Sequence, residues 1–114
     1  MVNKTAISIL LLFMLLDIIS GVIKAVIQGD LKSSKMRDGL LKKALEVIVG
    51  VVGYSCDIML ETNTIGNVVI MALAGSEGIS ILENAGTFIP LPSKLRNILE
   101  ALKDNGNEDK NDTK

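Results

Sequence analysis

The fold is decided near the start of the chain, where residues 5–27 read TAISILLLFMLLDIISGVIKAVI. As a helix with a rise of ~1.5 Å per residue, this run is about 35 Å long, enough to cross a hydrocarbon layer of about 30 Å. Asp17 lies near its middle, where a charge costs about 2.5–3.5 kcal/mol on insertion scales. The surrounding aliphatic residues offset that cost, so the run predicts a membrane-spanning helix whose acid needs a partner.

The composition places the chain in the membrane class. Hydrophobic residues make up 48% of the 114 and cluster in runs, unlike the spaced pattern of a soluble amphipathic domain. The chain has no histidine and one cysteine, Cys56, which we interpret as a small core residue. Catalytic pairs, metal clusters and internal disulfides therefore lack their parts, and we expect no enzyme activity, no metal and no cofactor. No phosphate loop or nucleic-acid surface is present in the sequence.

Two further apolar stretches follow the first. Residues 44–60 predict a second span of about 26 Å, and residues 65–82 predict a third. The second half of the third stretch is polar, so a re-entrant or interfacial segment is the alternative there. Residues 61–64 form so short a turn that the second and third spans should be antiparallel neighbours.

The connector between the first two spans sets the orientation. It is rich in lysine and arginine, which places it in the cytoplasm, the N-terminus outside and the C-terminus inside. Residues 36–43, MRDGLLKK, are either a short helix on the membrane surface, capped by Ser33 or Ser34, or a solvated loop.

Two prolines, Pro90 and Pro92, end the predicted membrane domain at residue 92. Residues 93–103, SKLRNILEALK, then predict a cytoplasmic amphipathic helix that lies on the membrane surface or against a partner helix. The remaining residues, 104–114, contain no apolar side chain and are predicted to be disordered.

Each predicted span carries its polar and small residues on one face, at the helical period. On the first span this stripe consists of Asp17, Ser20, Gly21, Lys24 and Gln28. On the second it consists of Glu46, Gly50, Gly53 and Asp57. On the third the row is Ser76, Ser80, Glu83 and Thr87, with Glu77 and Asn84 beside it.

Small residues let helices approach closely in lipid, while carboxylates need a partner or water. Two interpretations follow: the stripes line the aqueous interior of a homo-oligomer, or they hold one bundle together with the acids paired or protonated. Within a bundle, depth allows Lys24 to contact Glu46 or Glu77. Asp57 lies near the outer side, where Lys4 is the one basic residue that could pair with it, so we expect Asp57 to contact water.

Several ordered pieces of the sequence resemble the small phage-lysis and toxin-secretion holin family. They are DIISG at residues 17–21, the serine pair at 33–34 with DGLLKK at 38–43, Asp57, EGISILEN at residues 77–84, Gly86, and IPLP at residues 89–92. The last of these pieces precedes a short charged helix. The resemblance extends over about residues 10–103, in the right order.

The resemblance implies a homo-oligomeric hole-former in the bacterial cytoplasmic membrane, an all-α protein with three transmembrane helices. Such proteins accumulate in lipid and then open the membrane, so that an endolysin lyses the host cell or a large toxin leaves, without direct contact with the cargo. The family implies no catalytic residue, and the motif acids and glycine become candidates for assembly or pore lining. Two other classes stay open: a non-lytic membrane adaptor that anchors the last helix for a partner, and a small ion channel subunit.

Overall fold

The computed structural model describes residues 4–112, with side chains as far as Asp104. The chain forms four helices: α1 (Lys4–Gln28), α2 (Ser33–Leu60), α3 (Ile65–Gly86) and α4 (Ser93–Asp112). All regular structure in these residues is helical, which confirms the predicted all-α class. Contacts between the elements show that α1 runs parallel to α3, whereas α2 and α4 run antiparallel to it.

The connector after α1 does not form the predicted loop or separate surface helix. Gly29 ends α1 with a left-handed φ of 68°, and the Asp30 N–H donates to the Ala25 carbonyl at 2.8 Å. From Ser33 onwards the chain is already α2, which continues without interruption to Leu60. The prediction was wrong because no residue between Ser33 and Lys43 ends a helix. Gly39 lowers helix stability by only about 1 kcal/mol, and each residue added to the helix forms another backbone hydrogen bond.

The turn between α2 and α3 is as short as the sequence indicated. Glu61 adopts a left-handed φ of 54°, and its N–H donates to the carbonyls of Asp57 and Ile58. The two helices then lie side by side. A Cβ built on Gly53 would be 3.0 Å from the Val69 side chain, so this glycine permits the close approach of α2 to α3.

The third helix, α3, is the centre of the bundle because it packs against each of the other three helices. Its contact with α1 is apolar and consists of Leu10 and Met14 against Ile70, all buried. The direct contact between α1 and α2 is slight by comparison. The position of α3 therefore determines where the side chains of α1 and α2 meet.

The last helix, α4, folds back along α3 instead of leaving the bundle. Leu99 is buried against Gly78, and a Cβ on Gly75 would be only 2.7 Å from the Lys103 backbone nitrogen. The partner helix of the amphipathic stripe is thus α3 of the same chain. Leu95 and Ile98 remain exposed, so α4 buries only part of its apolar face.

The helical backbone of α4 extends through Asp112, over most of the stretch that was predicted to be disordered. The first turns of α4 pack on α3 and provide the helical nucleus. Adding further residues to that helix then costs little free energy, even when they are polar. Thr113 and Lys114 lie outside the described residues.

The outer surface of the bundle is strongly apolar. Large aliphatic side chains along α1 and α2 are about half exposed, among them Leu11, Leu15, Ile23, Ile48 and Val52. By length and composition, α1 and α3 are each suited to cross a membrane. The helix α2 does not meet the same criteria, and its apolar part contains Lys43, Glu46 and Asp57.

The contact of α4 with Gly75 can be tested by Gly75→Ala. The new methyl group would collide with backbone atoms of α4, and overpacking of this kind costs about 1–3 kcal/mol. We expect α4 to detach more often, so that trypsin cleaves after Arg96 several-fold faster in detergent micelles. Gly50→Ala is the control, because its Cβ would meet nothing within 4 Å. Equal cleavage rates for both variants would contradict the observed packing.

Candidate functional site

One lysine joins the three helices of the bundle. The Lys43 ammonium on α2 donates to the Asp17 carboxylate on α1 at 2.7 Å and lies 3.3 Å from the Glu77 carboxylate on α3. These side chains are largely removed from solvent, with 13%, 16% and 3% of their surfaces exposed. A charge contact of this kind is strong only because the surroundings exclude water.

Glu46 completes this group, which we call the carboxylate cluster: Asp17, Lys43, Glu46 and Glu77. Glu46 lies one turn after Lys43 on the same face of α2, and Lys43 contacts Glu77, so the Glu46 carboxyl group is a neighbour of the Glu77 carboxyl group. One carboxyl oxygen of each glutamate is buried and accepts no hydrogen bond from the described residues. The cluster thus contains three acids and one ammonium, which contacts Asp17 and Glu77 directly.

Asn84 connects the cluster to the far end of α3. Its side-chain amide donates to Asp17 Oδ1 at 3.2 Å and to Ser20 Oγ at 3.0 Å. Gly21 lies beside Asn84: a Cβ there would be at an ordinary contact distance of 3.7 Å from Asn84 Nδ2. The polar stripe of α1 and the flanking polar residues of α3 therefore face each other inside one protomer.

Asp57 has a different role, at the opposite end of the bundle. Its carboxylate accepts hydrogen bonds from the backbone N–H groups of Ile65 at 2.9 Å and Gly66 at 2.6 Å, and from the Thr62 hydroxyl at 2.6 Å. The residue before α3, Thr64, provides no side-chain cap of its own. A carboxylate from α2 thus caps α3 and complements the positive end of its helix dipole.

Two contacts that the sequence predicted are not formed. Lys24 makes no ion pair with Glu46 or Glu77 among the residues described, and Lys43 contacts Glu77 in its place. Asp57 was expected to contact water, but it is only 5% exposed and its carboxylate accepts hydrogen bonds from backbone amides.

Lys43 was overlooked because it was assigned to the cytoplasmic connector. Once α2 is known to begin at Ser33, a signal in the sequence is visible: Lys43 lies three residues before Glu46, on the stripe that continues to Gly50, Gly53 and Asp57. Residues three apart on a helix are neighbours. A cation on that face was the natural partner for acids on α1 and α3.

The structure divides the other stripe residues between the interior and the surface. Gly53 is buried against α3, whereas a Cβ on Gly50 would meet open space. Ser76 and Ser80 are half-buried, and Glu83 is exposed. The Thr87 hydroxyl donates to the Glu83 carbonyl at 3.0 Å. These residues are not part of the carboxylate cluster.

A cavity of about 310 Å³ lies between α1 and the start of α2. Its lining combines aliphatic residues with polar and charged ones, which include Asp17, Lys24, Gln28, Asp30, Lys35, Lys43 and Asn84. The Lys35 ammonium donates to Asp30 at 2.9 Å, and this contact lowers the pKa of the Asp30 carboxyl group. The cavity leads from the connector to the carboxylate cluster.

Within residues 4–104, no three or more cysteine, aspartate or glutamate side chains are placed to hold a metal ion together. The role of the cluster in this arrangement is electrostatic: its charged groups, which are largely removed from solvent, hold α1, α2 and α3 together.

The sequence matches the bacteriophage holin family over residues 2–104, a range that includes the whole carboxylate cluster and all of α1, α2 and α3. The chain belongs to that family. This confirms the resemblance seen in the sequence motifs. Holins are not an enzyme family, and membership together with the two apolar helices indicates a membrane protein.

The similar proteins are themselves uncharacterised. A 14.9 kDa protein of Clostridium perfringens, encoded in the nagH 3' region, is 35% identical over 96 residues, which is 82% of this chain and 73% of the relative. A protein of Listeria monocytogenes is 32% identical over 97 residues, 84% of this chain and 67% of the relative. No solved structure matches the chain.

Replacing Lys43 tests whether its charge holds the bundle together. In Lys43→Met the acids would remain buried without a counter-charge, and loss of one partner from a buried ion pair costs about 3–5 kcal/mol. We expect the variant to unfold at a much lower fraction of sodium dodecyl sulfate in mixed micelles, followed by circular dichroism. Lys42→Met, at the exposed neighbouring position, should unfold like the unmodified protein. Similar behaviour of the two variants would contradict the role given to Lys43.

Replacing Asp57 tests the cap on α3. Asp57→Ala removes the acceptor of two backbone N–H groups, and loss of a helix cap costs about 0.5–2 kcal/mol. Hydrogen exchange of the Ile65 and Gly66 amides should become several-fold faster, while exchange in the rest of α3 changes less. Asp38→Ala, at an exposed acid of α2, serves as the control. Unchanged exchange at Ile65 and Gly66 would show that the cap contributes nothing.

Proposed function

We propose that this protein is a holin that accumulates and self-associates in the bacterial cytoplasmic membrane and forms holes there. Either an endolysin leaves through these holes and lyses the host cell, or a large toxin leaves through them. The observation that carries the proposal is the distribution of polarity, combined with family membership: charged groups meet in the interior, and aliphatic side chains cover α1 and α2 outside. Such a bundle suits lipid as its solvent.

The proposal includes a third span in α2. The charges that make α2 unsuited to lipid by composition point inward in the structure: Lys43 pairs with Asp17 and Glu77, and Asp57 caps α3. The face that α2 leaves exposed between residues 45 and 60 is rich in valine, leucine and isoleucine. Charged residues in transmembrane segments characteristically face the bundle interior and pair with one another. The arrangement supports three spans, and the basic connector supports an N-terminus on the outside. The helix α4 then begins on the cytoplasmic side and folds back along α3 as far as Gly75.

Hole formation then requires the protomer to rearrange. A water-filled hole needs polar walls, and the acids that would line it are now bonded within the protomer. In an assembly, the inner faces of α1, α2 and α3 would turn towards neighbouring subunits or water. The residues proposed for pore lining or assembly are the polar and small ones of these faces: Asp17, Ser20, Gly21, Lys24, Glu46, Gly50, Gly53, Asp57, Ser76, Glu77, Ser80, Glu83 and Asn84.

A non-lytic adaptor is the second candidate, and α4 favours it to some extent. Leu95 and Ile98 are about half exposed on a helix that also carries Lys94 and Arg96, so α4 presents an apolar strip with basic neighbours. A partner protein would bind that strip while α1, α2 and α3 serve only as the anchor. A channel that passes only ions would use the same bundle without releasing protein.

Induction of the protein alone in bacterial cells tests the holin proposal. After a lag, we expect the membrane potential to collapse and a co-expressed soluble endolysin to appear outside the cytoplasm, because hole formation needs no other protein. Potential and endolysin release are measured in the same culture. Continued growth with intact protein in the membrane would refute the proposal, and loss of potential with the endolysin retained would indicate a narrow ion channel.

A truncation after Pro92 separates the holin from the adaptor. Without α4, a hole-former should still release the endolysin, with a change in timing, because the predicted membrane domain is complete. An adaptor would lose its activity altogether, since the helix that binds the partner is absent.

A further inference from the structure

The carboxylate cluster contains more negative charge than its single ammonium balances. If Asp17, Glu46 and Glu77 were all ionised, Lys43 would leave two negative charges uncompensated. Glu77 is 3% exposed, so water does not solvate it. An ionised carboxylate in such surroundings is costly unless it is paired and hydrogen-bonded, and the usual remedy in proteins is to take up a proton.

The unsatisfied oxygens show where a proton would bind. Glu46 Oε2 and Glu77 Oε2 are buried and accept no hydrogen bond from the described residues. Glu77 Oε2 is 3.3 Å from the Lys43 ammonium, but that contact lacks hydrogen-bond geometry. Lys43 contacts Glu77 and lies one turn before Glu46 on α2, so the two glutamate carboxyl groups are neighbours. When both are ionised, each can only accept hydrogen bonds. A hydroxyl on one of them would donate to the other and satisfy both.

Among the described groups around this pair, none donates a hydrogen bond to the two free oxygens, so a bound proton is the simplest way to satisfy them. From α1, Asp17 faces Glu77 and adds negative charge, and Lys24 lies two turns further along, without an ion pair to either glutamate among the described residues. From α2, Lys43 is the one close cation, and Asp17 already takes its shorter contact. From α4, the apolar Leu99 packs against Gly78, the residue after Glu77, and Lys103 is an exposed residue whose backbone meets Gly75.

We propose that Glu46 and Glu77 bind one proton between them and form a carboxyl–carboxylate hydrogen bond that joins α2 to α3. The bound proton removes one of the two uncompensated charges. It also makes the packed bundle a proton-binding state, because the same acids exposed to water at neutral pH would release it. This inference concerns the folded protomer and stands apart from hole formation.

The direction of the pH dependence follows from linkage. The packed bundle binds one proton more than a state in which α2 has separated from α3, so its stability falls as pH rises. For one linked proton, the equilibrium constant between the two states changes by up to about tenfold per pH unit. Deprotonation leaves two adjacent carboxylates, which repel each other across the helix interface.

Infrared spectroscopy of the full-length protein in phospholipid nanodiscs at neutral pH tests the proposal directly. We expect the carbonyl band of a protonated carboxylic acid, shifted in D₂O, in the unmodified protein. The band should be absent in both Glu46→Gln and Glu77→Gln, because an amide N–H then donates to the remaining carboxylate. Glu83→Gln, at an exposed acid on α3, should keep the band. A spectrum without the band, or its loss in only one glutamine variant, would overturn the shared proton.

Unfolding in mixed micelles between about pH 6 and pH 9 provides a second measurement. The unmodified protein should lose stability as pH rises through this range. Glu77→Gln retains the shape and the hydrogen bond of the protonated acid, so it should fold and show little of this dependence. Equal pH dependence in the two proteins would also overturn the proposal.

Discussion

The structure depends on the Lys43 ammonium, which holds carboxylates from two other helices in a space that water does not reach. Asp17 on α1 and Glu77 on α3 both contact it, so this ammonium links α2 to the other two helices although α1 and α2 barely touch. In an aqueous domain, burial of aliphatic side chains would provide most of this cohesion. Here the aliphatic side chains lie outside, and charge together with close packing has to hold the helices.

This distribution of polarity connects the architecture to the proposed activity. A bundle whose polar groups satisfy one another inside and whose surface is apolar is suited to accumulate in lipid without harm. The same polar groups are what an aqueous hole would need on its wall. In the proposed rearrangement, the free-energy cost would be concentrated in the contacts of Lys43, Asn84 and Asp57, because these interactions would have to be exchanged for others.

The central position of α3 explains why its sequence is so rich in small and polar residues. Gly75 and Gly78 admit α4 at distances that a side chain would forbid, Glu77 enters the carboxylate cluster between them, and Asn84 reaches back to α1. Neighbouring residues of EGISILEN therefore face three different helices. This segment resembles one polar stripe in the sequence, but in the structure it contacts three helices. Those contacts explain its many small and polar residues better than a single pore-facing surface does.

The sequence alone predicts an all-helical chain, the apolar runs that make α1 and α3 suited to a membrane, the short turn between α2 and α3, and the acids that need partners. These features follow from hydrophobicity and periodicity, which are properties of residues close together along the chain. The packing of the helices selects Lys43 and not Lys24 as the partner, makes Asp57 the cap of α3, and folds α4 back onto Gly75 and Gly78. The choice among several cations at similar depth depends on the direction and rotation of whole helices, which residues far apart in sequence set together. For the same reason, the unsatisfied oxygens of Glu46 and Glu77 became visible only when α2 and α3 were placed side by side.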